Sequence, residues 1–203
     1  MSDGADRSLV DAHAAAARGD WQQAFDLLMT ADADQLLTST DLPVLGEVAY
    51  AAGHLDVTIE AWERAYSASM RAEDPAAAAA AAVRVAMHLL FDTSLMAPVR
   101  GWLARAERLL DGRGESSAYA WLAVVRAYER MLTGDRTTAQ QWARQATDVG
   151  SRWDAAAAAI GRVAEARLLI LDGDVRRGRL CGRPARCDHR GVGARPRDLP
   201  AGR

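Results

Sequence analysis

The chain has 203 residues, half of them apolar, and a formal net charge of −2, enough material for one domain with its own core. All 25 basic residues are Arg. Chemistry that needs a lysine amine is therefore excluded: neither a Walker-type phosphate loop nor a pyridoxal Schiff base can be built.

Residues 1–7, Met-Ser-Asp-Gly-Ala-Asp-Arg, contain no apolar core of a signal peptide and are expected to be disordered. Helical patterning begins near residue 8 and runs to 173. It is punctuated by a recurring turn: Arg18-Gly19-Asp20, Ala52-Gly53-His54, the degenerate Asp92-Thr93-Ser94, Thr133-Gly134-Asp135 and Asp172-Gly173-Asp174. The turn positions 19, 53, 93, 134 and 173 are 34, 40, 41 and 39 residues apart. Gly ends one helix at such a turn and Asp caps the next. Further helix starts are marked by Asp74-Pro75, by Ser117 and by Asp154.

Between turns the period is helical. Ile59, Trp62 and Tyr66 share one face, as do Trp121, Val124, Tyr128 and Met131. The expected helix pairs span 8–17/20–30, 42–52/55–70, 76–91/95–111 and 117–132/136–149, with a fifth first helix over 154–171. The Ala runs at 76–82 and 155–159 would let neighbouring helices approach closely. Trp62, Trp102 and Trp142 recur at comparable places in second helices, which favours packing between repeats over a ligand cage. Trp62→Ala should then cost about 3–5 kcal/mol. Glu60 and Arg64 form an i, i+4 pair on a solvated face, and His13, His54 and His88 are scattered, with solvated or capping roles expected.

Leu45-Gly46, Gly53, Trp62 and Ala65 in the second pair, and Gly134, Asp135, Ala139, Ala143 and Ala146 in the fourth, resemble the tetratricopeptide repeat. Pairs of this length exceed the usual repeat of about 34 residues, so the version is divergent. With Gly101-Trp102-Leu103-Ala104-Arg105-Ala106-Glu107-Arg108-Leu109-Leu110, residues 8–178 are similar to the helical-repeat region of actinobacterial LuxR-type transcriptional regulators and related cyclase-fused regulators. The fold implied is all-α, an α-solenoid of helical hairpins in a right-handed superhelical stack. The function implied is a non-catalytic protein–protein interaction scaffold, part of a transcriptional regulator. The nucleotide-binding or cyclase module and the helix-turn-helix module of those regulators are not read in these residues. The geometry of such repeats would place Glu47, Tyr50, Met87, Trp121, Tyr128 and Arg167 on a groove for an extended or helical peptide partner.

From residue 174 the character changes. Residues 1–173 hold 16 Arg against 24 acids, whereas 174–203 hold nine Arg against three Asp, with Pro184, Pro196 and Pro200. A basic, disordered tail is expected over 174–203. Two readings of it stand side by side. It is a basic arm giving weak, salt-sensitive nucleic-acid contact, or it is wrong-frame translation of GC-rich DNA that leaves a truncated, even non-functional, gene remnant. Cys181, Cys187 and His189 fall short of a four-ligand zinc set with tight spacing. No HExxH, no GxSxG elbow and no distinctive carboxylate pair occurs, so no catalytic residue, metal or cofactor is expected. No run of about 18 apolar residues without a charge occurs, which points away from a membrane span and toward a cytoplasmic location. An uncapped last repeat would offer a surface to a second copy.

Overall fold

The computed structural model describes residues 2–174. These residues are all-helical: nine α-helices packed in neighbouring pairs, with no strand among them. The helices are α1 (Ser2–Ala17), α2 (Trp21–Ala33), α3 (Leu42–Ala51), α4 (Leu55–Arg71), α5 (Pro75–His88), α6 (Met96–Leu110), α7 (Ser117–Leu132), α8 (Arg136–Trp153) and α9 (Ala155–Leu171). Helix α1 starts at Ser2, where a helix start near residue 8 was expected. The basic segment 175–203, with its cysteines, His189 and the readings attached to it, lies outside the described residues.

The turn chemistry explains the boundaries. Gly19, Gly53, Gly134 and Gly173 all take positive φ, the left-handed conformation that ends a helix cheaply only for glycine. Asp20, Asp74, Asp135 and Asp154 then accept hydrogen bonds from backbone N–H groups of the following first turns. Ser116, rather than Ser117, caps α7 through the Tyr119 N–H. At the degenerate turn the left-handed residue is Ser94, φ +57°, and not Thr93. A π-helical turn over Leu89–Thr93 absorbs one extra residue there.

Two clusters make the core. One joins α1 and α2 to α3 and α4 through Ala12, Phe25, Leu28, Leu45 and Val48. The other runs from Leu42 and Trp62 through α5, α6, α7 and α8 to Leu168. Helices α3 and α4 contribute to both, so the two clusters form a continuous stack of contacts. Trp62 is 5% exposed and its indole nitrogen, unpaired, faces Gly46, where a Cβ would come within 2.6 Å of it. Small residues also permit close approach between α8 and α9. A Cβ on Gly150 would lie 2.5 Å from the Ala158 backbone nitrogen, and one on Gly161 would lie 2.7 Å from that of Thr147. Helices α5, α7 and α9 also pack directly on one another, skipping the helix between. The run Pro75–Thr93 is long and apolar enough to cross a membrane by length and composition, although half of its apolar window is buried inside the protein.

Polar contacts tie the pairs together. Arg64 does lie 3.9 Å from Glu60, but its stronger partner is Asp32 of α2, held through two contacts of 2.7 and 2.6 Å. The Arg64 hydrogen bonds outweigh desolvation and hold the Asp32 carboxyl below the usual range. His54 stacks flat on Phe25, ring centres 4.0 Å apart, and does not cap α4 with its side chain.

Candidate partner-binding face

The first helices of the successive pairs, α3, α5, α7 and α9, carry a ladder of side-chain contacts in two rows. The upper row starts at Glu47 on α3, whose carboxylate lies 3.8 Å from Arg84 of α5. The Arg84 guanidinium lies 5.0 Å from the Trp121 ring centre and 5.8 Å from that of Trp62. It thus bridges three helices by charge and cation–π contact. Trp121 Nε1 donates to Asp154 at 2.9 Å, and Ser117 Oγ donates to the same oxygen at 2.7 Å. The other Asp154 oxygen accepts from the N–H groups of Ala156 and Ala157 at the start of α9. Burial opposes ionisation of Asp154, yet the four donors prevail and hold its carboxyl below the usual range.

The lower row starts at Tyr50, whose ring centre lies 4.5 Å from that of His88 on α5. Tyr50 Oη donates to Asp92 at 3.5 Å, and His88 Nδ1 lies 3.4 Å from the other Asp92 oxygen. Phe91 then meets Tyr128 edge to face at 5.0 Å, and the Arg167 guanidinium lies 5.8 Å from the Tyr128 ring centre. Burial pushes the Tyr50 hydroxyl up, with the Asp92 charge adding to it. Burial pushes His88 down against the opposing pull of Asp92. Tyr128 is raised by burial, which outweighs Arg167.

Of the six residues read from the sequence, Glu47, Tyr50, Trp121, Tyr128 and Arg167 belong to this ladder. Met87 shares none of the ladder contacts and packs, partly buried, against the main core, a setting that Trp121 has as well. The reason is the register. Tyr128 and Arg167 lie six residues before the left-handed glycines of their turns. The same count back from Ser94 lands on His88, so taking Thr93 as the turn residue shifts the position by one. Arg84, His88, Phe91, Asp92 and Asp154 escaped the sequence reading. For His88 a signal existed in the register, whereas Arg84 carried none and Asp154 only its capping signature.

The face is largely self-satisfied in its upper row and open in its lower row. Tyr50 and Phe91 are 48% and 47% exposed, and Arg167 is exposed without an ion pair among the described residues. A cavity of about 440 Å³ adjoins the Arg84 end, lined by Pro43, Trp62, Ala77 and Arg84 among others. No group of His, Cys, Asp and Glu fit to hold a metal exists among the described residues. Fold and face together define an all-helical protein built of neighbouring helix pairs. No known family model matches the chain, and no curated protein matches it.

Proposed function

We propose that the chain is an α-solenoid scaffold that binds a peptide or helical segment of a protein partner along the ladder face, without a catalytic centre of its own. The observation that carries this reading is the alignment of Glu47, Tyr50, Trp121, Tyr128 and Arg167 on successive first helices, with aromatic surface left exposed at Tyr50 and Phe91. Exposed aromatics flanked by a cation suit an amphipathic segment with apolar anchors and an acidic residue reaching Arg167. The resemblance to LuxR-type regulators supports a place in transcriptional control.

Selection from a displayed peptide library on the full chain tests this. The reading expects enriched peptides whose binding is lost in Tyr50→Ala and Arg167→Ala at unchanged melting temperature. No enrichment, or equal binding to both variants, would overturn it. The charge reversal at residue 174 supports a second reading, nucleic-acid association through the Arg-rich segment. DNA retention that falls with salt and disappears on deleting 174–203 would favour it.

A further inference from the structure

A cavity of about 660 Å³ opens between the end of α6, the linker 111–116, the start of α7 and the last turns of α8. That volume is within the range of small-molecule sites. None of the ladder side chains lines it, so it is a separate place on the protein.

Its floor is apolar: Leu110, Leu122 and Val149 are all buried core residues. Tyr119 and Trp142, both half-buried, add aromatic surface to its walls. The charged groups are unbalanced. Glu107 is held by Arg126 at 2.6 Å, and Glu115 by Arg152 at 2.6 Å. Asp111 and Asp148 also line the cavity, exposed, and neither has an ion-pair partner among the described residues. Arg152, the one cation described in the lining, is already bound to Glu115.

Two uncompensated carboxylates beside two aromatic side chains, above an apolar floor, discriminate between ligand classes. An anion meets repulsion, and a neutral ligand gains only the apolar contact. A cation on an apolar body gains the carboxylate charge, the ring faces and the floor together. We propose that this cavity binds a small organic cation, an amidinium, guanidinium or quaternary ammonium group carried on an apolar body.

The test is calorimetric titration of the full chain with benzamidine and with its neutral analogue benzamide, followed in parallel by the Trp142 indole N–H resonance. Benzamidine should bind saturably, about tenfold more tightly than benzamide. Asp111→Asn with Asp148→Asn should remove that margin while leaving benzamide binding and the melting temperature unchanged. Trp142→Leu should weaken benzamidine further, with the circular dichroism spectrum serving as the check on folding. Equal affinity for the two compounds, full benzamidine affinity in the double variant, or no saturation by about 10 mM would overturn the proposal, since a site that weak lies below ordinary ligand affinities.

Discussion

Glu129 is a carboxylate almost without solvent contact, 1% exposed, ringed by Arg100 at 2.9 Å, Arg130 at 3.2 Å and Arg126 at 3.7 Å. Only the Arg100 contact is a well-formed hydrogen bond. Glu129 Oε2 and Arg130 Nε, though close, lack the alignment for one, so their contact is charge attraction alone. Arg126 keeps Glu107 and Arg130 keeps Asp135 when Glu129 is removed, so the loss falls mainly on the half-exposed Arg100 at the junction of α6 and α7. Glu129→Ala should cost about 1.5–3 kcal/mol in urea denaturation, the range of a charge-assisted hydrogen bond. A loss below about 1 kcal/mol would mean that the arginines re-solvate freely. His88 gives a pH dependence of definite sign. Burial holds its folded pKa below the unfolded 6.5, with Asp92 pulling the other way and Arg84 adding to the depression. Between the two values the unfolded chain binds more protons, so stability falls as the pH drops through 6.5 and is full above it. Asp32 and Asp154, depressed below 3.8, contribute fully above 3.8 and lose that contribution as the pH falls from there through their folded values. His88→Gln should therefore flatten the loss that sets in below pH 6.5 and leave the acid limb intact. This layer was the least legible in sequence, because Glu129, Arg84 and Asp154 act through partners 29 to 37 residues away.

At the scale of the helix, glycine separates local propensity from packing. Replacing Gly by Ala inside a helix gains up to about 1 kcal/mol of propensity when the methyl meets open space. Gly101 in α6 is exposed, with only the far end of Arg105 at 3.7 Å, so Gly101→Ala should stabilise the protein by about 0.5–1 kcal/mol. Gly150 is buried against the backbone of Ala158, which cannot rotate away. There overpacking, about 1–3 kcal/mol, exceeds the propensity gain, and Gly150→Ala should lower the melting temperature. Opposite signs for the two variants in one thermal series are the expected result; stabilisation by both would refute the close α8–α9 approach. Helix positions were readable from the sequence because Gly turns and Asp caps are local chemistry. The π-helical turn at Leu89–Thr93 was not, since no residue type demands it, and that one residue separates the expected Met87 from His88, which the count back from Ser94 reaches.

For the whole molecule, the packing of α5, α7 and α9 on one another and the two ladder rows give one face spanning the pairs. Periodicity marked the helices that carry it, and Glu47, Tyr50, Trp121, Tyr128 and Arg167, expected on a groove from the repeat resemblance, lie along it. Periodicity could not reveal the cavity beneath the 111–116 linker, which depends on how far two pairs stand apart. The central claim is that this ladder face receives the partner. The most direct measurement is the shift of the Trp121 indole N–H, bonded to Asp154 at 2.9 Å, when a library-selected peptide is added. Binding at the ladder face predicts saturable shifts of Trp121 and of the Tyr50, Arg84 and Arg167 signals. Shifts confined to α4, α6 and α8, with the Trp121 signal unmoved, would contradict it.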